Sequence, residues 1–213
     1  MSESGYQGAF NTRTGLGAFN TQLFLIRRVL AEAHTAALVQ IVSCTNAGTD
    51  SAVGFVDVQP LVDQLDGTGK PVPHGQLHSL PYLRMQGGAN AVILDPQPGD
   101  IGIAIFAERD ISRVKANKAQ AAPGSLRKFD MADGLYLGGV LNGVPTQYVQ
   151  FSPTGISIVT PNNIDMTASG NINMQAAAIA LTSSTLTHNG VNIGSTHIHG
   201  GVVPGSGDTT GPQ

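Results

Sequence analysis

The sequence predicts a mainly β protein with one N-terminal helix, a small five-stranded barrel and a narrow β prism shared by three chains. Three observations lead to this fold class. Five short β-rich segments follow a single helical segment, an apolar pattern of eight residues repeats after residue 150, and almost all charges precede that repeat. The length of 213 residues allows about two domains, so a large multidomain enzyme is excluded.

Composition narrows the class of protein further. Only 12% of residues are charged, and no apolar run approaches the ~20 residues of a membrane-spanning helix. The first residues lack the basic and apolar pattern of a secretory signal, so we expect synthesis in the cytosol. The lone Cys44 excludes an intrachain disulfide. The net charge of -3 gives no electrostatic reason to expect nucleic acid as a ligand.

An amphipathic helix is predicted for residues 20–34, with Asn20 or Thr21 as its N-terminal cap. Apolar residues recur there at intervals of three and four, which is the period of a helix. The apolar face could pack on the helix's own domain or against a partner subunit, and the sequence leaves both open. The residues on this face are Leu23, Ile26, Val29, Leu30 and Ala33.

Five segments rich in β-branched residues follow the helix. Five short strands without long helices between them are typical of a barrel of the oligonucleotide/oligosaccharide-binding (OB) type. Nucleic-acid binding by such a barrel needs a basic groove with stacking aromatics, which this acidic segment lacks. The basic cluster Arg109, Arg113, Lys115 and Lys118 is predicted to lie in a solvated loop. The predicted strands occupy residues 37–45, 53–62, 77–85, 90–100 and 101–110.

An apolar repeat of eight residues, shortened at its last step, begins at Ile156. Residues 151–213 contain only two charged side chains, and such a composition also fits low-complexity disorder. The alternation of apolar and polar residues argues against disorder, because it is the pattern of short strands separated by turns. Such strands cannot bury their apolar faces alone, so we expect three chains to form a narrow prism. The alternating residues are Ile156, Ile158, Ile164, Met166, Ile172, Met174, Ile179 and Leu181.

Two histidines, His197 and His199, follow the repeat. In a strand, an HxH pair directs both imidazoles to the same face. One chain would provide an incomplete metal site, whereas three chains would supply six imidazoles, enough for an octahedral shell. That geometry suits a first-row transition metal better than structural zinc, and iron is the first choice. An exposed or hydrogen-bonded pair without a metal is the alternative.

The other four histidines are not expected to bind a metal. His188 precedes a turn and is assigned a polar structural role. No role is assigned to His34, His74 and His78.

The layout resembles the baseplate central spike proteins of contractile-tailed bacteriophages and related contractile injection systems, the baseplate assembly protein V group. The resemblance covers roughly residues 35–213 and rests on the order of barrel, repeat and terminal HxH pair. Three barrel segments also resemble one branch of these spikes. They are residues 58–62 (VQPLV), 80–82 (LPY) and 98–102 (PGDIG).

The resemblance implies a homotrimer in which an OB-fold barrel is followed by an intertwined triple-stranded β-helix with a metal-capped apex. His197 and His199 of the three chains would hold one iron ion per trimer, and residues 200–213 resemble the chain that folds back around the tip. The resemblance divides the chain into an N-terminal segment with the helix (1–35), the barrel (36–110), a connector (111–150), the β-helix (151–194) and the apex (195–213).

The implied function is structural. The family forms the membrane-piercing spike of the tail baseplate, which punctures the host outer membrane during tail contraction. Expected partners are baseplate hub or tail tube proteins, bound through the N-terminal region, and transiently the outer membrane. The expected location is the tip of the virion tail, after synthesis in the host cytoplasm. The chain has no room for a lysozyme domain, so neither peptidoglycan cleavage nor another enzymatic activity is expected.

Two other classes of protein share part of the pattern. A trimeric β-helical tail fibre or adhesin module could contain the repeat, but such modules normally expose aromatic residues for stacking on sugars, and no Phe, Tyr or Trp follows Phe151. A cupin-like metal oxygenase also begins its metal motif with HxH. That motif continues with a glutamate and another histidine, and neither follows His199.

Overall fold

The computed structural model describes residues 15–46, 50–195, 197 and 205. Within these residues the protein is mainly β, with two α-helices, and the chain separates into unit 1 (residues 1–146) and unit 2 (residues 147–213). The helices are α1 (Ala18–Ala31) and α2 (Ser112–Asn117). The strands are β1 (Ala36–Cys44), β2 (Phe55–Pro60), β3 (Gln64–Leu65), β4 (Pro71–Val72), β5 (Leu77–Pro81), β6 (Met85–Gly87), β7 (Asn90–Val92), β8 (Ile101–Phe106), β9 (Gly134–Gly139), β10 (Tyr148–Ser152), β11 (Gly155–Val159), β12 (Thr187–His188) and β13 (Val191–Asn192).

Five strands of unit 1 form one antiparallel sheet in the order β5-β2-β1-β8-β9. Irregularities of the β-bulge kind interrupt three of its strand pairs, and bulges increase the local twist. The sheet is curled into a half-barrel, so its two edges approach each other. Tyr82 and Tyr136 form a parallel bridge there, and the N–H of Leu83 donates to the carbonyl of Tyr136 at 2.8 Å.

One face of this sheet forms the core of unit 1. Alternate residues of a strand point to the same face, which explains why apolar and polar residues alternate in β1 and β2. Gly102 is required on this face, because a Cβ there would overlap the ring of Tyr136 and the carbonyl of Gly138. The buried apolar residues are Val39, Ile41, Val56, Val58, Leu80, Tyr82, Ala104, Phe106 and Tyr136.

Four of the five predicted strands are confirmed, and the prediction for residues 90–100 is wrong. β7 pairs with β6 in a separate hairpin instead of joining the sheet. The fifth strand of the sheet is β9, which lies within the predicted connector. Its sequence, GLYLGG, contains three glycines, and glycine has a low β propensity, so pattern alone does not identify it.

Helix α1 confirms the predicted helix but not its cap. The N-cap is Gly17, whereas the side chains of Asn20 and Thr21 donate back to the carbonyls of Leu16 and Gly17 at 3.2 and 3.1 Å. No residue of α1 is buried, so the helix does not bury its apolar face in unit 1. In the part of the chain that the structure describes, no helix is long and apolar enough to cross a membrane.

The predicted basic loop is wrong for Arg113 and Lys115, because both lie in α2. Asp110 helps to order this segment: its carboxylate accepts the backbone N–H of Ser112 at 2.8 Å, in the first turn of the helix. Local hydrogen bonds of this kind favour a turn or helix start over a loose loop.

A partly buried ion-pair network, in which two buried carboxylates meet the half-exposed side chain of Arg127, holds the long connection between β8 and β9 in place. Arg127 donates to both carboxylate oxygens of Asp133, from Nε at 2.7 Å and from Nη2 at 3.0 Å. Its Nη2 also lies 3.2 Å from Asp110, which accepts the hydroxyl of Ser125 at 2.8 Å. Both carboxylates are buried, so the network satisfies charges that would otherwise be costly in this position.

A second ion pair, which is buried, fastens the β6–β7 hairpin. Nη2 of Arg84 lies 2.6 Å from Asp95, and the same carboxylate oxygen accepts the hydroxyl of Tyr82 at 2.6 Å. Nη1 of Arg84 donates to the carbonyl of Ser51 at 2.6 Å. The bond to Asp95 joins the hairpin to a core tyrosine of the sheet.

The network at Asp110 predicts a loss of stability in acid. Bonds from Ser112 and Ser125, with the charge of Arg127, lower the pKa of Asp110 from 3.8 to about 2. Because the pKa is lowered on folding, the stabilisation is complete above pH 3.8 and is lost as the pH falls towards about 2.

We therefore expect Asp110→Asn to be less stable than the native chain at pH 7 and to lose less stability between pH 4 and pH 2. Urea unfolding followed by circular dichroism at each pH measures both effects. Asp63→Asn, at an exposed position, is the control and should follow the native chain. Equal acid sensitivity of Asp110→Asn and the native chain would contradict the assignment.

Candidate functional site

Unit 2 begins with a hairpin that has no core. β10 and β11 pair from Tyr148 with Val159 to Ser152 with Gly155. The turn is stabilised locally, since the hydroxyl of Ser152 donates to the carbonyl of Gly155 at 3.1 Å. No residue of either strand is buried, and Phe151 is 76% exposed. An isolated two-stranded hairpin is marginally stable at best, so this one requires cover.

The apolar repeat continues past the hairpin without acquiring a core. All eight of its alternating side chains are between 52 and 68% exposed. Among the described residues from 141 to 195, none is buried. Fully burying one such side chain stabilises a protein by about 1.5–3 kcal/mol. Because these side chains are between 52 and 68% exposed, burying the rest of all eight would contribute a further ~7–14 kcal/mol per chain.

The backbone of residues 163–185 also forms few hydrogen bonds with the rest of the described chain. No backbone–backbone hydrogen bond joins these residues to any other residue that the structure describes. They belong to no helix or strand. Ordering a backbone costs about 1–2 kcal/mol per residue. A defined conformation of this segment therefore requires contacts beyond those that the described residues make with it.

A second, short hairpin follows the repeat and contains His188. Asn189 and Gly190 connect β12 to β13 with φ of 50° and 78°. Positive φ at both central residues is the signature of a type I′ turn, which Asn-Gly favours. The predicted position of His188 before a turn is confirmed. Its Nε2 accepts the side-chain amide of Asn189 at 3.3 Å.

His197 closes a turn on Gly194. Its backbone N–H donates to the carbonyl of Gly194 at 3.1 Å, and its Nδ1 donates to the same oxygen at 2.6 Å. Since a carbonyl can only accept, Nδ1 carries the proton, and in the neutral ring the lone pair belongs to Nε2. Metal-binding histidines are commonly fixed in one tautomer by such a bond. The geometry of His197 therefore fits a metal ligand that binds through Nε2.

The strand assumed for the HxH pair is not found at His197. β13 ends at Asn192, and the turn from Gly194 to His197 follows it. The alternation that would place both imidazoles on one face therefore does not apply to His197. His199, the second predicted ligand, lies outside the described residues. Among the residues that are described, no group of three or more His, Cys, Asp or Glu side chains could hold a metal ion.

One part of the site was missed by the sequence. The carbonyl of Gly194 orients His197, and a backbone carbonyl leaves no residue-type pattern that could reveal it. The glycine three residues before the histidine is the only indication, because glycine favours turns.

The three histidines without an assigned role lie in unit 1. His34 packs edge-on against Phe106, with ring centroids 6.1 Å apart. His74 accepts the side-chain amide of Gln64 at 2.8 Å on Nδ1, and burial lowers its pKa. Nδ1 of His78 lies 3.3 Å from Asp57. Each contact is local to unit 1.

Comparison with known proteins identifies no relative. No family model matches the chain, and no curated protein matches it at a significant level. The function is therefore argued from the sequence pattern and from the geometry of unit 2.

Proposed function

We propose that the protein is the membrane-piercing spike of a contractile phage tail or a related contractile injection system, and that it acts as a homotrimer. The observation that carries the proposal is the absence of a core in the described part of unit 2, despite its regular apolar repeat. In this proposal residues 151–194 of three chains wind into a triple-stranded β-helix, which we call the shaft.

Assembly of three chains would supply the two things that the shaft lacks in a single chain, a core for its apolar side chains and hydrogen-bond partners for its backbone. Each chain would place the alternating side chains of its repeat in a shared core and would offer its unpaired backbone to its neighbours. The apolar residues are Ile, Met and Leu, which are too small to fill a wide single-chain barrel but fit a narrow prism. Interlocked strands with a common core cannot separate one at a time, so axial load is shared by many contacts.

The half-barrel of unit 1 supports the first part of the proposed architecture. Its five strands, numbered by their order along the chain, lie in the order 3-2-1-4-5, and the third and fifth meet through the parallel bridge of Tyr82 and Tyr136. A five-stranded, partly open barrel is the description of the OB fold. We propose that this unit joins the spike to the baseplate hub or tail tube, as in the family that the sequence resembles.

An iron ion at the apex would close the shaft. We propose that His197 and His199 of three chains hold one ion per trimer, and the Nδ1 bond of His197 to Gly194 supports this role. When bound, the ion would link the three chains at the point where strands would otherwise fray. The chain would supply imidazole ligands, a fixed tautomer and a turn, and no catalytic step.

The low charge of the shaft fits passage through an outer membrane. Burying a charge in lipid is costly unless it is paired, and Asp165 is the only charged side chain in residues 151–194. We propose that the spike is carried at the tip of the virion tail, after synthesis in the host cytoplasm, and contacts the outer membrane transiently during contraction.

Lysine in place of Ile164 and Ile172 is expected to abolish the trimer, because each layer of the shared core would then contain three buried, unpaired charges. Multi-angle light scattering should give three times 22.0 kDa for the native chain and a single chain mass for the variant.

The matched control is Asn163→Lys with Asn171→Lys. Each asparagine precedes one of the two isoleucines, so the change in charge is the same while the side chain points to the other face of an alternating strand. This control should remain trimeric. A monomeric native chain, or a trimer of the isoleucine variant, would contradict the proposed shaft.

Elemental analysis of the purified trimer is expected to find about one iron per three chains, as six imidazoles complete one octahedral shell. The variant with His197→Ala and His199→Ala should lose this iron. His188→Ala, in the neighbouring hairpin, should keep it. Iron content that is equal in the native protein and the double variant would remove the apex site from the account.

A further inference from the structure

Helix α1 presents an apolar face that is largely exposed, with only Leu23 half-buried among its seam residues. Phe19, Ile26 and Leu30 are 75, 58 and 66% exposed, and no residue of the helix is buried. The polar contact on α1 lies elsewhere on its surface, where Nε of Arg28 is 3.6 Å from the carboxylate of Glu32. An apolar face of this kind on a short helix needs a partner for stability, since such a helix is marginal by itself.

The spacing on this face is that of a coiled coil. Phe19, Leu23, Ile26 and Leu30 follow one another at intervals of four, three and four residues. This spacing assigns Leu23 and Leu30 to heptad position a, and Phe19 and Ile26 to position d. Leu16, just before the helix, continues the series at a. Spaced in this way, the four side chains form a narrow stripe that fits the a/d seam between helices, as well as the apolar face of an amphipathic helix in general.

The residues at a and d also indicate the number of helices. Leucine at a with isoleucine at d shifts parallel coiled coils away from dimers, towards three or four strands. Leu23, Ile26 and Leu30 follow this pattern at the centre of α1. The preference agrees with the three chains of the proposed shaft, although it comes from a different part of the sequence.

The flanking positions are compatible with self-association. Gln22 occupies position g and Arg27 occupies position e, and these positions face each other between neighbouring parallel helices. An amide opposite a guanidinium creates no like-charge repulsion. The pair of Arg28 and Glu32 occupies positions f and c, on the outer side of such a bundle.

We propose that α1 of the three chains assembles through this seam into a short, parallel three-helix coiled coil. The partner is thus a second and a third copy of this chain, and the inference rests on the proposed trimer. Two heptads alone would associate weakly. Chains already joined by the shaft bring the helices together at a high effective concentration, which makes a short seam sufficient.

Site-specific cross-linking in the full-length protein tests the seam. Cys44→Ser removes the native thiol, and either Ile26→Cys or Leu25→Cys is then added. These neighbours are a matched pair, since both are apolar, lie in α1 and are 58 and 53% exposed. Ile26 is at position d, facing the axis, whereas Leu25 is at position c, away from it.

With a short bis-maleimide, Ile26→Cys should give covalent dimers on denaturing gels, and Leu25→Cys should give only background. Light scattering on the same samples separates the two proposals. A trimer in which Ile26→Cys fails to cross-link, or cross-links no more than Leu25→Cys, overturns the coiled coil and leaves the shaft intact. A monomer overturns both the coiled coil and the proposed function.

Discussion

The regular apolar side chains of unit 2, which no described part of the chain covers, are the constraint on which the rest of the structure depends. From Ile156 to Leu181 the chain repeats isoleucine, methionine and leucine at regular intervals, yet every one of these side chains is more than half exposed in the single chain. Water opposes such exposure, and no backbone–backbone hydrogen bond joins residues 163–185 to any other described residue. Such a regular apolar repeat without a core is explained if further copies of the chain supply the core.

Three parts of the chain lack contacts that further copies of the chain could supply. The described part of the shaft lacks a core, α1 leaves most of its apolar stripe exposed, and His197 is one ligand of the proposed metal site, which a single chain would not complete. Threefold assembly would complete all three. By contrast, the sheet of unit 1 has its own core and its own ion pairs, at Arg84 with Asp95 and at Arg127 with Asp133. The chain therefore combines a unit that has its own core with one whose described residues bury no core in the single chain.

How much could be predicted from the sequence depends on where the determining interactions lie. The strands β1, β2, β5 and β8 were recognisable because alternating apolar residues face a core within the same unit. β9 was missed because glycines replace the β-branched residues that usually mark a strand. At Gly134 the close approach of Leu80 selects glycine, since a Cβ there would lie 2.7 Å from that side chain. The cap of α1 and the turn at His197 depend on backbone carbonyls, which are the same for every residue type. In unit 2, the pattern was recognisable, but no described residue of the chain covers its apolar side chains.

Amide hydrogen exchange of residues 163–185 in the full-length protein tests the central claim most directly. Pairing between chains would protect these amides, so we predict that they exchange slowly, as do those of the core strand β1 in the same molecule. Exchange at the rate of an unstructured chain, with β1 still protected, would contradict the account, because the apolar repeat would then be uncovered in the assembled protein as well.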